Sequence, residues 1–235
     1  MTEVLLTVRD VRSGYAAGDI LQGVSLEARR GEVVAAVGRN GVGKTTLMKT
    51  VMGLLRTRAG QILFAGRDLA RDPAEIRARL GLGYVPQGKQ IFPDLTVEEN
   101  LRMGARVNSA RESRIDLALE FFPILRERLR QKGGTLSGGQ QQGLAIARAL
   151  VGQPDLLLLD EPSESIQPST VVAIGDTLRE LNRETGLTIV LVEQNLGLIE
   201  AVADRGYVID KGRTVAEVSR EDIGNREHML RFLSV

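Results

Sequence analysis

The chain has 235 residues, 43% of them hydrophobic, with 31 Lys and Arg against 30 Asp and Glu and no cysteine. That length fits one large α/β domain with an inserted lobe, while a net charge of +1 with only five Phe and three Tyr excludes a basic, aromatic-interleaved nucleic-acid surface, and the missing cysteine excludes disulfides and thiolate metal sites. No apolar run approaches the ~18 residues of a membrane span and the N-terminus lacks a signal-peptide plan, so the expectation is a soluble, intracellular chain.

Apolar, strand-like segments at 5–9, 24–28 and 61–64 predict a small antiparallel layer. Between them, residues 32–37 form an almost continuous apolar run, the pattern of a buried strand. Gly38, Arg39, Asn40, Gly41, Val42, Gly43, Lys44 and Thr45 follow, and helix-forming residues over 45–55 end near Gly53. Strand, glycine loop and helix is the order a phosphate loop of the form G-x-x-x-x-G-K-[ST] requires. Its glycines let successive backbone N–H groups curl around an anion. The backbone from Asn40 to Thr46 is the expected cradle, with Lys44 on the β- and γ-phosphates of a nucleotide and Thr45 on magnesium.

From about 88 to 135 the pattern turns helical and predicts an inserted lobe. Thr96 and Glu99 have capping-box spacing, and apolar residues recur at helical intervals over 116–122. The basic cluster at 126–132 reads as a solvated helix face. Leu136-Ser137-Gly138-Gly139-Gln140 is a second glycine-rich turn running into a helix, a second potential phosphate-binding helix N-terminus. Four leucines at 156–159 then form a buried strand that ends in Asp160 and Glu161. Ligands of open α/β sheets bind beyond the carboxyl ends of the strands, so Asp160 is expected on magnesium and Glu161 on the attacking water. Val171, Ile174, Leu178 and Leu181 mark a helix ended by Gly186, with an apolar strand at 188–192. A hairpin over 206–218 turns at Gly212. Ser219 to Asp222 cap a short terminal helix on which Met229, Leu230 and Leu233 are packing residues.

Taken together, these motifs resemble the ATP-binding cassette ATPases over residues 5–212. Residues 136–140 match that family's signature, and Asp160-Glu161-Pro162 its Walker B segment. Gln87, in Tyr84-Val85-Pro86-Gln87, resembles the Q-loop glutamine that senses the γ-phosphate, its metal and the transmembrane partner; Tyr15 resembles the aromatic that stacks on adenine. The resemblance implies an α/β P-loop NTPase (RecA-like) core with an antiparallel β subdomain and an inserted helical subdomain, all in one domain spanning 1–235. It implies ATP and Mg2+ as ligands, with Thr45, Gln87 and Asp160 around the metal and Glu161, Gln194 and Gln87 serving catalysis. Ser137, Gly138, Gly139 and Gln140 would close on the nucleotide of a second, identical or paralogous cassette in a head-to-tail dimer. The other implied partners are transmembrane permease subunits and, indirectly, an extracytoplasmic solute-binding protein, with no nucleic acid. Such a subunit sits peripherally on the cytoplasmic face of the inner membrane.

Two positions depart from the commoner family pattern. Glu193-Gln194-Asn195 stands where the family usually places a switch histidine, and the only histidine is His228. Gln194 can donate an amide hydrogen bond but cannot titrate between pH 5 and 8. Gln167 replaces an aspartate that crosses the dimer interface. Both departures resemble the branch serving uptake of branched-chain amino acids and of urea or short amides, and the runs at 86–93 and 166–169 lean towards urea. The rival readings are a soluble cassette ATPase acting on nucleic acid or ribosomes, which usually needs two cassettes or a coiled-coil insertion, and a catalytically impaired regulatory cassette, which the presence of Lys44, Asp160 and Glu161 opposes.

Overall fold

The structure is a computed structural model that describes residues 3–108 and 114–233. Residues 109–113 of the expected lobe lie outside the described residues. Two sheets organise the chain. β1 (Val4–Tyr15), β2 (Gly18–Arg29), β4 (Ala59–Phe64) and β5 (Arg67–Asp68) form an antiparallel sheet in the order β2-β1-β4-β5. The second sheet has the order β10-β9-β3-β8-β7-β6, from β3 (Val33–Val37), β6 (Leu82–Val85), β7 (Leu156–Asp160), β8 (Thr188–Glu193), β9 (Arg205–Asp210) and β10 (Arg213–Val218). Its strands run parallel except β10.

Every residue of β3, β7 and β8 is buried, which is why these strands read as continuous apolar runs without alternation. Their side chains still alternate between two cores. Val33, Ala35, Leu157, Leu159, Ile189 and Leu191 face the helical side, whereas Val34, Ala36, Leu156, Leu158, Val190 and Val192 face the antiparallel sheet. Asp160 and Glu161 therefore stand at the end of a strand clamped on both faces.

The antiparallel strands are longer than the sequence pattern predicts. Bulges near Val8 to Arg12, with Asp10 at φ 47°, interrupt the period-two alternation along β1. α1 (Lys44–Met52) stops at Gly53, the expected end, whose φ of 82° turns the chain out of the helix. α2 (Ala74–Leu80) has no anticipated counterpart. It carries Arg77, a buried guanidinium that donates to the carbonyls of Thr50, Val51, Leu69 and Asp72 at 2.7–2.9 Å and so satisfies the end of α1.

α3 (Val97–Ala105) begins at the Thr96 and Glu99 capping box. α4 (Ile115–Phe121) and α5 (Pro123–Arg126) follow, and all three pack on α6 (Gly138–Val151) through Leu101, Ala118, Phe122, Leu125 and Leu144. α3 crosses α6 closely, since a Cβ on Gly104 would lie 2.0 Å from the Arg148 carbonyl oxygen. The basic cluster departs from expectation: helix α5 ends at Arg126, and the chain folds back so that Leu129 and Gln131 accept backbone bonds from Glu98 and Val97.

α7 (Pro168–Thr185) ends at Gly186 in the left-handed region, as predicted. The β9–β10 hairpin turns through Lys211 and Gly212, both with positive φ, the requirement of a two-residue turn. α8 (Leu196–Val202) lies between β8 and β9. The single terminal helix is instead two, α9 (Arg220–Gly224) capped by Ser219 and α10 (Arg226–Leu233), because the Asn225 side chain accepts from His228 N–H and starts a new helix. Met229 is buried, but Leu230 is exposed. Among the described residues no helix is long and apolar enough to cross a membrane.

Candidate nucleotide site

The phosphate loop joins the end of β3 to the start of α1. Gly43, at φ 112°, occupies the N-cap, and no side chain caps the helix. The first amides of α1, from Lys44 to Thr46, thus face the loop without an intrahelical partner, which makes an anion-binding helix end. Gly38 has no room for a side chain, because a Cβ there would lie 2.4 Å from the Ile209 carbonyl oxygen.

Lys44 is buried, and its ammonium donates to the carbonyls of Gly38 and Arg39 at 2.8 Å each. The same nitrogen lies 3.2 Å from a carboxylate oxygen of Glu161, whose other oxygen accepts from the Gln87 amide at 3.2 Å. Glu161 is held at φ 47° while its N–H donates to Val192 O. Backbone strain of this kind at a side chain that faces a ligand loop is a mark of functional sites.

One residue earlier, Asp160 accepts from the Thr45 hydroxyl at 3.0 Å and from the Tyr84 hydroxyl at 3.1 Å. Burial pushes the Asp160 carboxyl up, an effect the hydrogen bonds from Thr45 and Tyr84 oppose and the nearby Glu161 reinforces. The Tyr84 phenol is likewise pushed up, by burial and by Asp160, and stays protonated. Thr45 and Asp160 converge as two hard oxygen donors. Among the described residues no cluster of three His, Cys, Asp or Glu could hold a metal alone. That donor set fits Mg2+, which takes one or two protein ligands and completes its shell from water and substrate phosphates.

The other predicted residues occupy three places. Tyr15 ends β1, 44% exposed, with its carbonyl bonded by Arg58. Gln194 is exposed on the turn after β8 and shares an open cleft with Arg39 and Asn40. Ser137 and Gln140 bond reciprocally as a capping box at the start of α6. Their neighbours Gly138 and Gly139 lie against Lys89, Ser165 and Thr170, not against the phosphate loop of the same chain.

Two site residues lack a role in the sequence reading. Tyr84 appears there only as the frame of Gln87. Glu193 is fully buried, and its carboxylate accepts from the N–H groups of Gln194, Asn195 and Ser163 at 2.8, 2.9 and 3.2 Å. It ties the turn after β8 to the turn after Glu161. The one local signal was an acid closing an apolar strand just ahead of Gln194.

A glycine loop on a helix N-terminus, a buried lysine and an acid pair at the end of β7, which is separated from β3 by β8 alone, define a P-loop nucleoside triphosphatase. The model of the ABC transporter family matches residues 21–164. The chain is 42% identical to the high-affinity branched-chain amino acid transport ATP-binding protein BraG of Pseudomonas aeruginosa, over 90% of this chain and 91% of that protein. It is 40% identical to the probable branched-chain amino acid transport ATP-binding protein LivF of Archaeoglobus fulgidus, over 89% of each. The fold is similar to the dimeric ATP-binding cassette MJ0796 bound to ADP and Pi, with a TM-score of 0.82, 26% identity and coverage of 92% and 99%. The chain belongs to the ABC transporter family, as one of its ATP-binding, ATP-hydrolysing cassettes.

Proposed function

We propose that the chain powers a branched-chain amino acid importer, closing head-to-tail with a second cassette around ATP and passing that closure to separate membrane permease subunits. The solute rests on the names that BraG and LivF carry. Neither name mentions urea, so the lean towards urea or short amides has no support there, and neither relative is described as acting on ribosomes or nucleic acid. A peripheral place on the cytoplasmic membrane face and an extracytoplasmic solute receptor belong to the same proposal.

The observation that carries the chemistry is the Lys44–Glu161 pair beside Thr45 and Asp160. Lys44 leaves the carbonyls of Gly38 and Arg39 for the outer phosphate oxygens, which frees Glu161. With Gln87 holding its other oxygen, Glu161 orients a water and takes its proton as the water oxygen bonds to the γ-phosphorus. The bond from that phosphorus to the β–γ bridging oxygen breaks, and ADP departs. Thr45 and Asp160 would hold Mg2+, which when bound neutralises charge on the phosphates. The loop amides and Lys44 supply the remaining stabilisation, which in phosphoryl transfer is mostly positioning and electrostatics. Gln194 is placed to donate a neutral hydrogen bond to the same phosphate.

Coupling to the membrane is supported by an apolar groove between α2, α3, β6 and α6, where Leu54, Phe92, Met103 and Val107 are exposed. Arg148 lies over the Phe92 ring and donates to Gln90 O, three residues beyond Gln87. A helix seated there would therefore touch the segment that reaches Glu161. Purification of the tagged chain from detergent-solubilised membranes tests this reading. Recovery of permease subunits that depends on Phe92 and Met103 supports it, and recovery of ribosomes instead contradicts it.

A further inference from the structure

Tyr15 closes β1 at the tip of the β1–β2 hairpin, where Tyr15, Ala16 and Ala17 are all exposed. A two-residue hairpin turn is ordinarily shaped by Asn, Asp or Gly at its centre, which accept positive φ. Ala16 and Ala17 are none of these, and the positive φ falls instead on Gly18, at 144°. The turn's own residues therefore specify its geometry weakly, and an exposed tip with few buried contacts opens readily.

The rest of the hairpin is tied to the phosphate loop. In β2, Gln22 N–H donates to Gly212 O at 2.7 Å, and Gly212 N–H donates to Val42 O at 2.9 Å, so the β9–β10 turn links that strand to the loop. The tip is held by Arg58, from the segment between α1 and β4. One guanidinium nitrogen donates to the Asp19 carboxylate at 2.6 Å and another to the Tyr15 carbonyl at 2.7 Å, while Arg58 N–H donates to Arg12 O at 2.9 Å. That segment is fixed to α1 in turn: Leu54 N–H donates to Lys49 O at 2.8 Å, and the Ser13 hydroxyl accepts from Thr50 and donates to Arg56 O, both at 2.9 Å. The helix whose first amides face the phosphates thus carries, just past its other end, the side chain that grips the Tyr15 backbone.

We propose that Arg58 is a positioning residue for the base of the bound nucleotide: by spanning Asp19 and the Tyr15 carbonyl it keeps the Tyr15 end of the hairpin in register with the phosphate loop, so that one rigid frame meets base and phosphates together. The proposal rests on the reading of Tyr15 as the aromatic that stacks on adenine. The Arg58–Asp19 pair is exposed, and exposed pairs contribute little to stability. What the planar guanidinium fixes is geometry, because its fork sets the angle between the two acceptors it holds. A ring already ordered binds without first being immobilised, and the gain appears as affinity.

The test is equilibrium binding of ADP, which is not turned over, to the full chain in a double-mutant cycle of Tyr15→Ala and Arg58→Ala, with inorganic pyrophosphate as the base-free competitor. Tyr15→Ala should weaken ADP about tenfold, the loss of one base–aromatic stack. Arg58→Ala should weaken it about fivefold, the cost of ordering a freed side chain, and Arg58→Lys should recover part of that loss. In the Tyr15→Ala background Arg58→Ala should cost nothing further, because it acts through the ring. Pyrophosphate affinity and melting temperature should stay at the parent's values throughout. If Tyr15→Ala leaves ADP affinity unchanged, the stacking reading falls and the role of Arg58 with it. If Tyr15→Ala weakens ADP but Arg58→Ala does not, or if the Arg58→Ala loss persists without the ring or extends equally to pyrophosphate, the positioning role alone is overturned.

Discussion

Replacing Lys44 by alanine tests the site through stability as well as turnover. The ammonium and the Glu161 carboxylate are both almost fully buried, with side chains 3% and 9% exposed. Solvent screening is therefore weak, and removal of the cation leaves the Gly38 and Arg39 carbonyls without their donor and Glu161 with only the Gln87 amide. Breaking a buried pair from one side costs about 3–5 kcal/mol. Partial relaxation of Glu161 towards water favours the lower figure. For a domain of this size about 3 kcal/mol lowers the melting temperature by roughly 6–12 °C. Glu161→Gln should cost much less, because Lys44 keeps both carbonyls, and the Lys44→Ala, Glu161→Gln double variant should recover part of the loss as a positive coupling. Urea titrations of the nucleotide-free chain measure all three, and ATPase assays of the assembled complex should find Lys44→Ala inactive. An unchanged unfolding midpoint for Lys44→Ala, or near-normal turnover, would refute the reasoning.

Glu161→Gln should lower hydrolysis about 100-fold or more, the usual contribution of a positioned general base, and should accumulate an ATP-bound dimer visible by size-exclusion chromatography. Gln194→Ala should slow turnover with ATP affinity nearly intact, and Gln194→His should stay active with a new pH dependence near neutrality as the imidazole titrates; full activity in the alanine variant excludes Gln194 from the site. Asp160 has a folded pKa raised by burial, so it binds its proton more tightly folded than unfolded, and its contribution to stability is lost as pH rises from the ordinary aspartate range through the raised value. Asp160→Asn should therefore melt higher than the parent at neutral pH while losing magnesium-dependent turnover, and a lower melting temperature would contradict the burial argument. Glu193→Ala leaves three backbone donors unsatisfied at about 1 kcal/mol or more each, and should lower both stability and turnover in paired melting and ATPase measurements.

The residues of the phosphate loop and of the β7 end were the most legible, because each depends on local chemistry. Lys44 and Thr45 sit at fixed offsets in a glycine loop, and Asp160 and Glu161 close a strand of four leucines. Partnerships across the sequence were hidden: Tyr84 meets Asp160 from 76 residues away, and Glu193 meets Ser163 from 30, with no periodicity to announce either. Arg77 gave no signal because its partners are backbone carbonyls, which carry no sequence identity. Strand ends along β1 were obscured by bulges, and the split between α9 and α10 by a single capping asparagine. Ser137 to Gln140 were recognisable as a helix start, yet their neighbours within the chain are Lys89, Ser165 and Thr170, so any role on phosphate needs a second molecule.

The most direct measurement is uptake of labelled leucine into proteoliposomes holding this chain with the permease subunits it purifies with, ATP and magnesium inside and the solute receptor outside. The account predicts leucine accumulation that requires ATP, vanishes with Lys44→Ala or Glu161→Gln, and is competed by valine and isoleucine but not by urea or acetamide. ATP-dependent uptake of urea without leucine uptake, or leucine uptake that survives Glu161→Gln, would contradict it.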